Sequence, residues 1–270
     1  MTTNLDFGVS SLLWSEKIEK QIIPILNSYL IKGIELAPYR KWGTWTPLKS
    51  DLIEYKNYLF DHSLKIISIQ GITFSKEKDF NQKLLKNSSL WEEHFNNVLE
   101  IMKTLDCTVA VLGSPSLRSN SNDYELFLKM YKRTYQKFKC ENKYLLLEAV
   151  PRFYKSNIVN NLRELSLLCR KNNFKKHVDI GCFFNEKEGK VLNDKESLFI
   201  LNEINECFHL HIANRNLRNI FLEKETKNIC MKFKLSTQNS VVFENISQSD
   251  NLTNVKQFLF DSCNVINLIN

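Results

Sequence analysis

Residues 144–151 read YLLLEAVP, a run of apolar residues that ends in a glutamate and is closely followed by a proline. Short apolar runs of this kind are typical of strands in a parallel sheet whose two faces are both covered. Pro151 has no backbone N–H to donate and marks the point where the chain leaves the sheet. We therefore expect Glu148 at the carboxyl end of a strand.

The same pattern recurs in both directions from this stretch. Segments with apolar residues at intervals of three and four, as amphipathic helices require, separate the short runs. The clearest of these helical segments are 90–105, 124–138 and 158–169. The predicted strands are 7–11, 33–36, 66–70, 108–112, 144–148, 177–180, 208–212 and 241–244.

Eight strand and helix units in 270 residues predict an α/β protein with a single (β/α)₈ barrel domain over residues 1–270. A doubly wound open sheet is the alternative. That fold would need a phosphate-binding turn such as GxGxxG or GxxxxGK[ST], and neither motif occurs in the chain. The pattern therefore favours the barrel.

Composition bears on two questions: whether the chain binds nucleic acid, and whether it is a cytoplasmic, secreted or membrane protein. The chain is 43% apolar and carries a formal charge of +7, with basic and acidic residues interspersed, so charge alone does not favour nucleic acid. Its seven cysteines form no CxxC pair, and its first residues lack the features of a signal peptide. We expect a cytoplasmic protein with reduced thiols and no membrane segment.

Four polar residues close the last four predicted strands and lie 31, 32 and 33 residues apart: Glu148, Asp179, His211 and Glu244. In a barrel the carboxyl ends of the strands surround one mouth, where active sites are built. Three carboxylates and an imidazole placed together call for a cation. Mostly oxygen ligands with one histidine favour Mn²⁺, with Mg²⁺, Co²⁺, Fe²⁺ and Zn²⁺ as alternatives.

Several stretches also carry a family resemblance: FGVSSLLW (7–14), GIELAPYRKWG (33–43), IISIQGITF (66–74), LLLEAVPRFY (145–154) and VVFENIS (241–247). The chain resembles the sugar isomerase/epimerase superfamily, which has a xylose isomerase-like barrel. This superfamily includes ketose 3-epimerases, inosose dehydratases and the more distant endonuclease IV. The resemblance is specific for the fold and the metal site and uninformative about the substrate.

The resemblance implies that Glu148, Asp179, His211 and Glu244 hold one divalent metal ion, and that the two glutamates are the catalytic acid and base. A metal-bound carbonyl acidifies the neighbouring C–H, so a carboxylate can remove that proton to give an enediolate. Return of the proton to the same carbon or to its neighbour gives epimerisation or isomerisation. The sequence leaves these outcomes, and the related dehydration, open.

The resemblance also suggests four substrate contacts: Glu35, Gln70, Tyr154 and Arg215. One position departs from the family, because Cys182 stands where many members have a histidine three residues after the aspartate ligand. His177 and His209 are interpreted as structural, with His177 at the opposite end of the barrel from the site.

The predicted partner is a small sugar, sugar acid or cyclitol. All seven glycines precede residue 190, so the loops after the last two strands lack the glycines of a usual phosphate cradle, which favours an unphosphorylated substrate. A sugar phosphate held by arginines or lysines is the alternative. Two alternatives remain: an endonuclease IV-like phosphodiesterase and a non-catalytic carbohydrate-binding barrel. A homo-oligomer is compatible with the sequence.

Overall fold

Eight parallel strands form one sheet in the computed structural model, which describes residues 5–187, 192–233 and 240–269. All eight predicted strands are found within two residues of their predicted limits. They are β1 (Phe7–Ser10), β2 (Gly33–Leu36), β3 (Lys65–Ile69), β4 (Val109–Leu112), β5 (Tyr144–Leu147), β6 (His177–Asp179), β7 (His209–Ala213) and β8 (Ser240–Glu244).

The sheet curves until its first and last strands pair. Gly8 in β1 lies opposite Gly33 in β2 on one side and opposite Val242 in β8 on the other. The strand order is β5-β4-β3-β2-β1-β8-β7-β6, and the described residues show no ladder between β5 and β6. The predicted (β/α)₈ barrel is confirmed, as a nearly closed barrel.

Eleven α-helices and several 3₁₀ turns connect the strands in the described ranges. The helices are α1 (Glu19–Ile22), α2 (Pro38–Trp42), α3 (Lys49–Asp61), α4 (Phe80–Lys86), α5 (Ser88–Thr104), α6 (Tyr124–Cys140), α7 (Leu162–Asn172), α8 (Ile180–Glu186), α9 (Asp194–Asn205), α10 (Lys224–Cys230) and α11 (Leu252–Ile269). No described helix has the length and apolar character needed to cross a membrane.

The start of α7 differs from the sequence prediction by four residues. Val159 has a φ of +52°, a conformation that a right-handed helix excludes. The side chain of Asn161 accepts a hydrogen bond from the backbone N–H of Glu164 and so caps the helix. Ile158 and Val159 are nevertheless buried, which explains why their apolar character looked like the first turn of the helix.

Apolar side chains fill the space between the sheet and the surrounding helices. In α5 and α6, for example, Phe95, Val98, Tyr131 and Phe138 are almost completely buried. The helix backbones therefore lie on the outside of the barrel and leave the carboxyl ends of the strands to the connecting loops.

We predict that Gly33→Ala destabilises the barrel strongly, because a Cβ atom at Gly33 would lie 2.5 Å from the backbone oxygen of Lys65 and 2.8 Å from the Ile67 side chain. The expected loss in the free energy of unfolding is about 3 kcal/mol. Gly71→Ala is the control, since its Cβ would meet nothing within 4 Å and only the positive φ of Gly71 is unfavourable. It should cost about 1 kcal/mol. Urea unfolding of both variants measures this, and equal losses would contradict the packing argument.

Candidate metal centre

Three neighbouring strands bring one acidic or imidazole group each to the same point. Asp179 ends β6, His211 lies opposite it in β7, and Glu244 ends β8. Each of the three residues can offer a ligand atom such that all three atoms lie within 4.8 Å of one another. All three side chains are buried. The converging strand ends thus assemble three of the four predicted ligands.

These side chains each bury a polar atom that makes no hydrogen bond of good geometry with the described residues. The three atoms are Oδ2 of Asp179, Nδ1 of His211 and Oε2 of Glu244, the last two lying 3.4 Å from each other. Oδ1 of Asp179 accepts the backbone N–H of Cys182 at 2.9 Å and caps α8, which fixes the carboxylate and leaves Oδ2 available. Buried polar atoms normally have partners, so this donor set fits a cation.

Glu148, directly after β5, adjoins this group through Asp179. Glu148, Asp179 and Cys182 can also place one ligand atom each within 4.8 Å of one another, and the Cys182 Sγ lies 3.2 Å from Oε1 of Glu148. Gly113 leaves room for this carboxylate, because a Cβ atom there would overlap Oε2 of Glu148. Asp179 is therefore shared by two groups of possible ligands, one with His211 and Glu244 and the other with Glu148 and Cys182.

The electrostatics of the centre reflect an excess of buried negative charge. Burial raises the pKa of Glu148 to about 7, and the neighbouring Asp179 adds to this shift. Burial, with the charge of Glu244, raises the pKa of Asp179 to about 6. Burial alone would lower the pKa of His211, but the carboxylates of Glu35 and Glu244 raise it well above its ordinary value. Without a metal ion, the centre therefore holds protons near neutral pH.

Glu35, predicted to contact substrate, lies against the imidazole of His211 with 0% of its surface exposed. Nε2 of His211 lies 3.0 Å and 3.1 Å from the two oxygens of this carboxylate, and Ser68 donates its hydroxyl to it at 2.7 Å. If Nε2–H donates to Glu35, Nδ1 keeps its lone pair on the side of Asp179 and Glu244. A carboxylate behind a ligating histidine is a common way to fix the ring and its tautomer.

The other three candidate substrate residues occupy two different environments. Gln70 is 5% exposed and donates Nε2–H to the hydroxyl of Ser10 at 2.5 Å. Tyr154 and Arg215 line a common cavity of about 1360 Å³ above the loops that follow β5, β6 and β7. Asn185 links them, because its Nδ2 group donates to the Tyr154 hydroxyl and to the Arg215 carbonyl, both at 3.0 Å.

The sequence reasoning missed Arg118, a fully buried arginine that supports Glu148. Its Nη1 donates to the carbonyl oxygens of Glu148 at 2.9 Å and Ile158 at 3.3 Å, and its Nη2 donates to that of Gly113. In the sequence Arg118 is one charge in a polar stretch, SLRSN. Nothing in that local pattern indicates that it would be buried.

His177 lies closer to the centre than the sequence reasoning placed it. Its ring centroid is 4.3 Å from that of His211 and 5.1 Å from that of His209. The strand period of two contains this signal, since residues two apart share a face and His177 precedes Asp179 by two positions. The three histidines and Glu35 thus form a polar layer in the barrel interior.

Comparison with known proteins gives a fold match without a sequence match. No protein-family model and no curated protein matches the chain. A D-psicose 3-epimerase structure has a TM-score of 0.68 at 14% identity and covers 97% of both chains. A D-allulose 3-epimerase from Methylomonas sp. has a TM-score of 0.66 at 16% identity, covering 98% of this chain and 97% of that one.

A xylose isomerase domain-containing protein from Salmonella typhimurium has a TM-score of 0.61 at 14% identity, covering 97% of this chain and 95% of that one. At these identities the likeness establishes the fold. The xylose isomerase-like barrel expected from the sequence is confirmed.

We predict that Glu35→Gln weakens metal binding about 10- to 100-fold, because the neutral amide no longer holds His211 as a charged acceptor does. Calorimetric titration with Mn²⁺ measures the affinity. Glu54→Gln, at an exposed position of α3 outside the barrel, is the matched control and should bind like the parent. Equal affinities for all three proteins would show that Glu35 does not act through His211.

We also predict that metal affinity rises with pH. With pKa values of about 7 for Glu148 and about 6 for Asp179, these carboxylates are protonated below both values, and the raised pKa of His211 keeps its imidazole protonated as well, so a cation must displace these protons. Binding of Mn²⁺ should therefore be at least about tenfold tighter at pH ~7.5 than at pH ~5.5, and more protons should be released per ion at the lower pH. Titration in two buffers of different ionisation enthalpy counts the protons. Affinity that is independent of pH would contradict the prediction.

Proposed function

We propose that this protein is a divalent-metal-dependent enzyme that isomerises or epimerises a sugar by moving a proton next to a carbonyl. The observation that carries the proposal is the group of buried ligand atoms on Asp179, His211 and Glu244, which make no hydrogen bond of good geometry, with Glu148 beside Asp179. The fold supports it, because structures of similar fold include a D-psicose 3-epimerase and a D-allulose 3-epimerase.

Glu148, Asp179, His211 and Glu244 would hold the cation, for which we propose Mn²⁺ on the basis of three carboxylates and one imidazole. When bound, such an ion polarises a sugar carbonyl and acidifies the neighbouring C–H. Glu35 would keep Nδ1 of His211 available, and the Cys182 N–H would hold Asp179 in place.

Glu148 and Glu244 would carry the proton. Glu148 directly follows β5 and Glu244 ends β8, and the two strands are not neighbours in the sheet, so the two carboxylates would approach the centre from two directions. A pKa near 7 for Glu148 suits a group that both takes and gives a proton at neutral pH. Removal by one glutamate and return by the other at the same carbon inverts it, whereas transfer to the neighbouring carbon by one glutamate isomerises the sugar.

Several residues would position the reacting groups. Arg118 fixes the backbone of Glu148, and Gly113 leaves space for its carboxylate. Tyr154 and Arg215 would contact substrate oxygens from the adjoining cavity. Gln70, at the end of β3, remains a proposed substrate contact.

We predict that the Mn²⁺-loaded protein transfers deuterium from D₂O to the carbon next to the carbonyl of a ketose or aldose, as measured by NMR. Glu148→Gln and Glu244→Gln should each slow this exchange at least about 100-fold, because the amide cannot take the proton. Glu125→Gln, at an exposed position of α6, is the control and should exchange like the parent.

The metal content of each variant, measured by mass spectrometry, separates a lost metal ion from a lost proton carrier. A fully metallated parent that exchanges no sugar, sugar acid or cyclitol would refute the proposed function. Variants that exchange at the parent rate would refute the roles of the two glutamates.

A further inference from the structure

The cavity above the metal centre has a strongly basic lining. Its cationic residues outnumber its acidic ones by five to two, and five asparagines contribute further N–H donors. We call it the basic cavity; its charged residues are Arg152, Arg163, Lys187, Arg215, Arg218, Glu186 and Glu223. At about 1360 Å³ it has ample room for a small sugar.

Both acidic residues of the basic cavity are engaged by the protein itself. Glu186 accepts the backbone N–H of Leu162 at 3.0 Å and pairs with Lys187 at 3.3 Å. Glu223 accepts the backbone N–H of Arg215 at 3.4 Å. Both carboxylates thus hold neighbouring loops in place, and the lining as a whole keeps a net positive charge.

Within the described ranges, none of the four arginines of the basic cavity makes an ion pair with a carboxylate. Arg163 lies over the Phe199 ring, 4.1 Å from its centre, whereas Arg152, Arg215 and Arg218 are exposed in the same cavity. Like charges gathered without counter-charges repel one another, and an arginine fork matches the oxygens of a phosphate or carboxylate. The lining is therefore suited to an acidic group.

The basic cavity adjoins the metal centre. Its loops follow β5, β6 and β7, the strands that place Glu148, Asp179 and His211. Tyr154 marks the boundary: burial raises its pKa, and the nearby Cys182, Asp179, Glu244 and Glu148 raise it further. Tyr154, which lines the basic cavity, is thus close enough to these four residues for their charges to affect it.

We infer that the substrate is an anionic sugar, whose phosphate ester or carboxylate binds the arginines of the basic cavity while its carbonyl end faces Glu148 and Glu244. This inference rests on the proposed function and narrows its substrate class. The carboxylates at one end repel an acidic group and the arginines at the other attract it, so the charge of the substrate sets its direction of binding. Side chains here take the place of the backbone cradle that the sequence lacks.

The test compares the binding of fructose, fructose 6-phosphate and glucuronate to the Mn²⁺-loaded protein by calorimetry. At least one of the two anions should bind about tenfold more tightly than fructose, and the preference should shrink between about 20 mM and about 300 mM salt. Which anion binds better identifies the acidic group. The double variant Arg152→Gln/Arg218→Gln should lose most of the preference, whereas Arg133→Gln, on α6 outside the basic cavity, should keep it.

Three results would overturn the inference: equal binding of fructose and both anions, a preference that survives in the double variant, or tighter binding and cleavage of an abasic DNA duplex. Deuterium exchange, followed in the same samples, tests the proposed function separately. Exchange of neutral sugars without any preference for anions would support the proposed function and refute the anionic substrate. Preference for anions without exchange of any sugar would support the anion-binding cavity and refute the proposed function.

Discussion

Mutual repulsion among carboxylates that are buried or half-buried is the constraint on which this site depends. Glu148, Asp179 and Glu244 are brought together at the mouth of the barrel, and the pKa values of about 7 for Glu148 and about 6 for Asp179 show that burial and neighbouring charge oppose their ionisation. His211 offsets part of this charge, and a divalent cation would offset the rest. The proposed metal dependence follows from this imbalance.

The barrel holds the repelling groups in place because each one is fixed from a different direction. The N-terminus of α8 fixes Asp179, the Glu35 carboxylate faces His211, and Arg118 binds the backbone of Glu148. These supporting groups lie on separate strands and loops, so several elements together hold the site residues in position. The arginines of the basic cavity place positive charge next to the negatively charged metal centre.

Local pattern was enough to predict the eight strands, with Asp179 and Glu244 at the ends of two of them; Glu148 directly follows its strand, and His211 lies two residues before the end of its own. Each strand and helix unit shows an apolar run with a polar residue near its end, and this pattern can be read within the unit alone. Its regular repetition, at about 34 residues per unit, indicates a barrel. The start of α7 was misplaced because Ile158 and Val159 are buried for tertiary reasons while the backbone at Val159 excludes a helix.

The sequence by itself determined that acidic and imidazole groups lie at or near the carboxyl ends of successive strands, because strand order and spacing fix which residues reach the mouth. Only the tertiary structure decided which groups support them. Glu35 and His211 are 176 positions apart, yet their side chains lie 3.0 Å from each other. The burial of Arg118 and the shared cavity of Arg152, Arg215 and Arg218 likewise depend on how loops from different units fold over the barrel. Such contacts join distant segments, so the periodicity of one segment does not contain them.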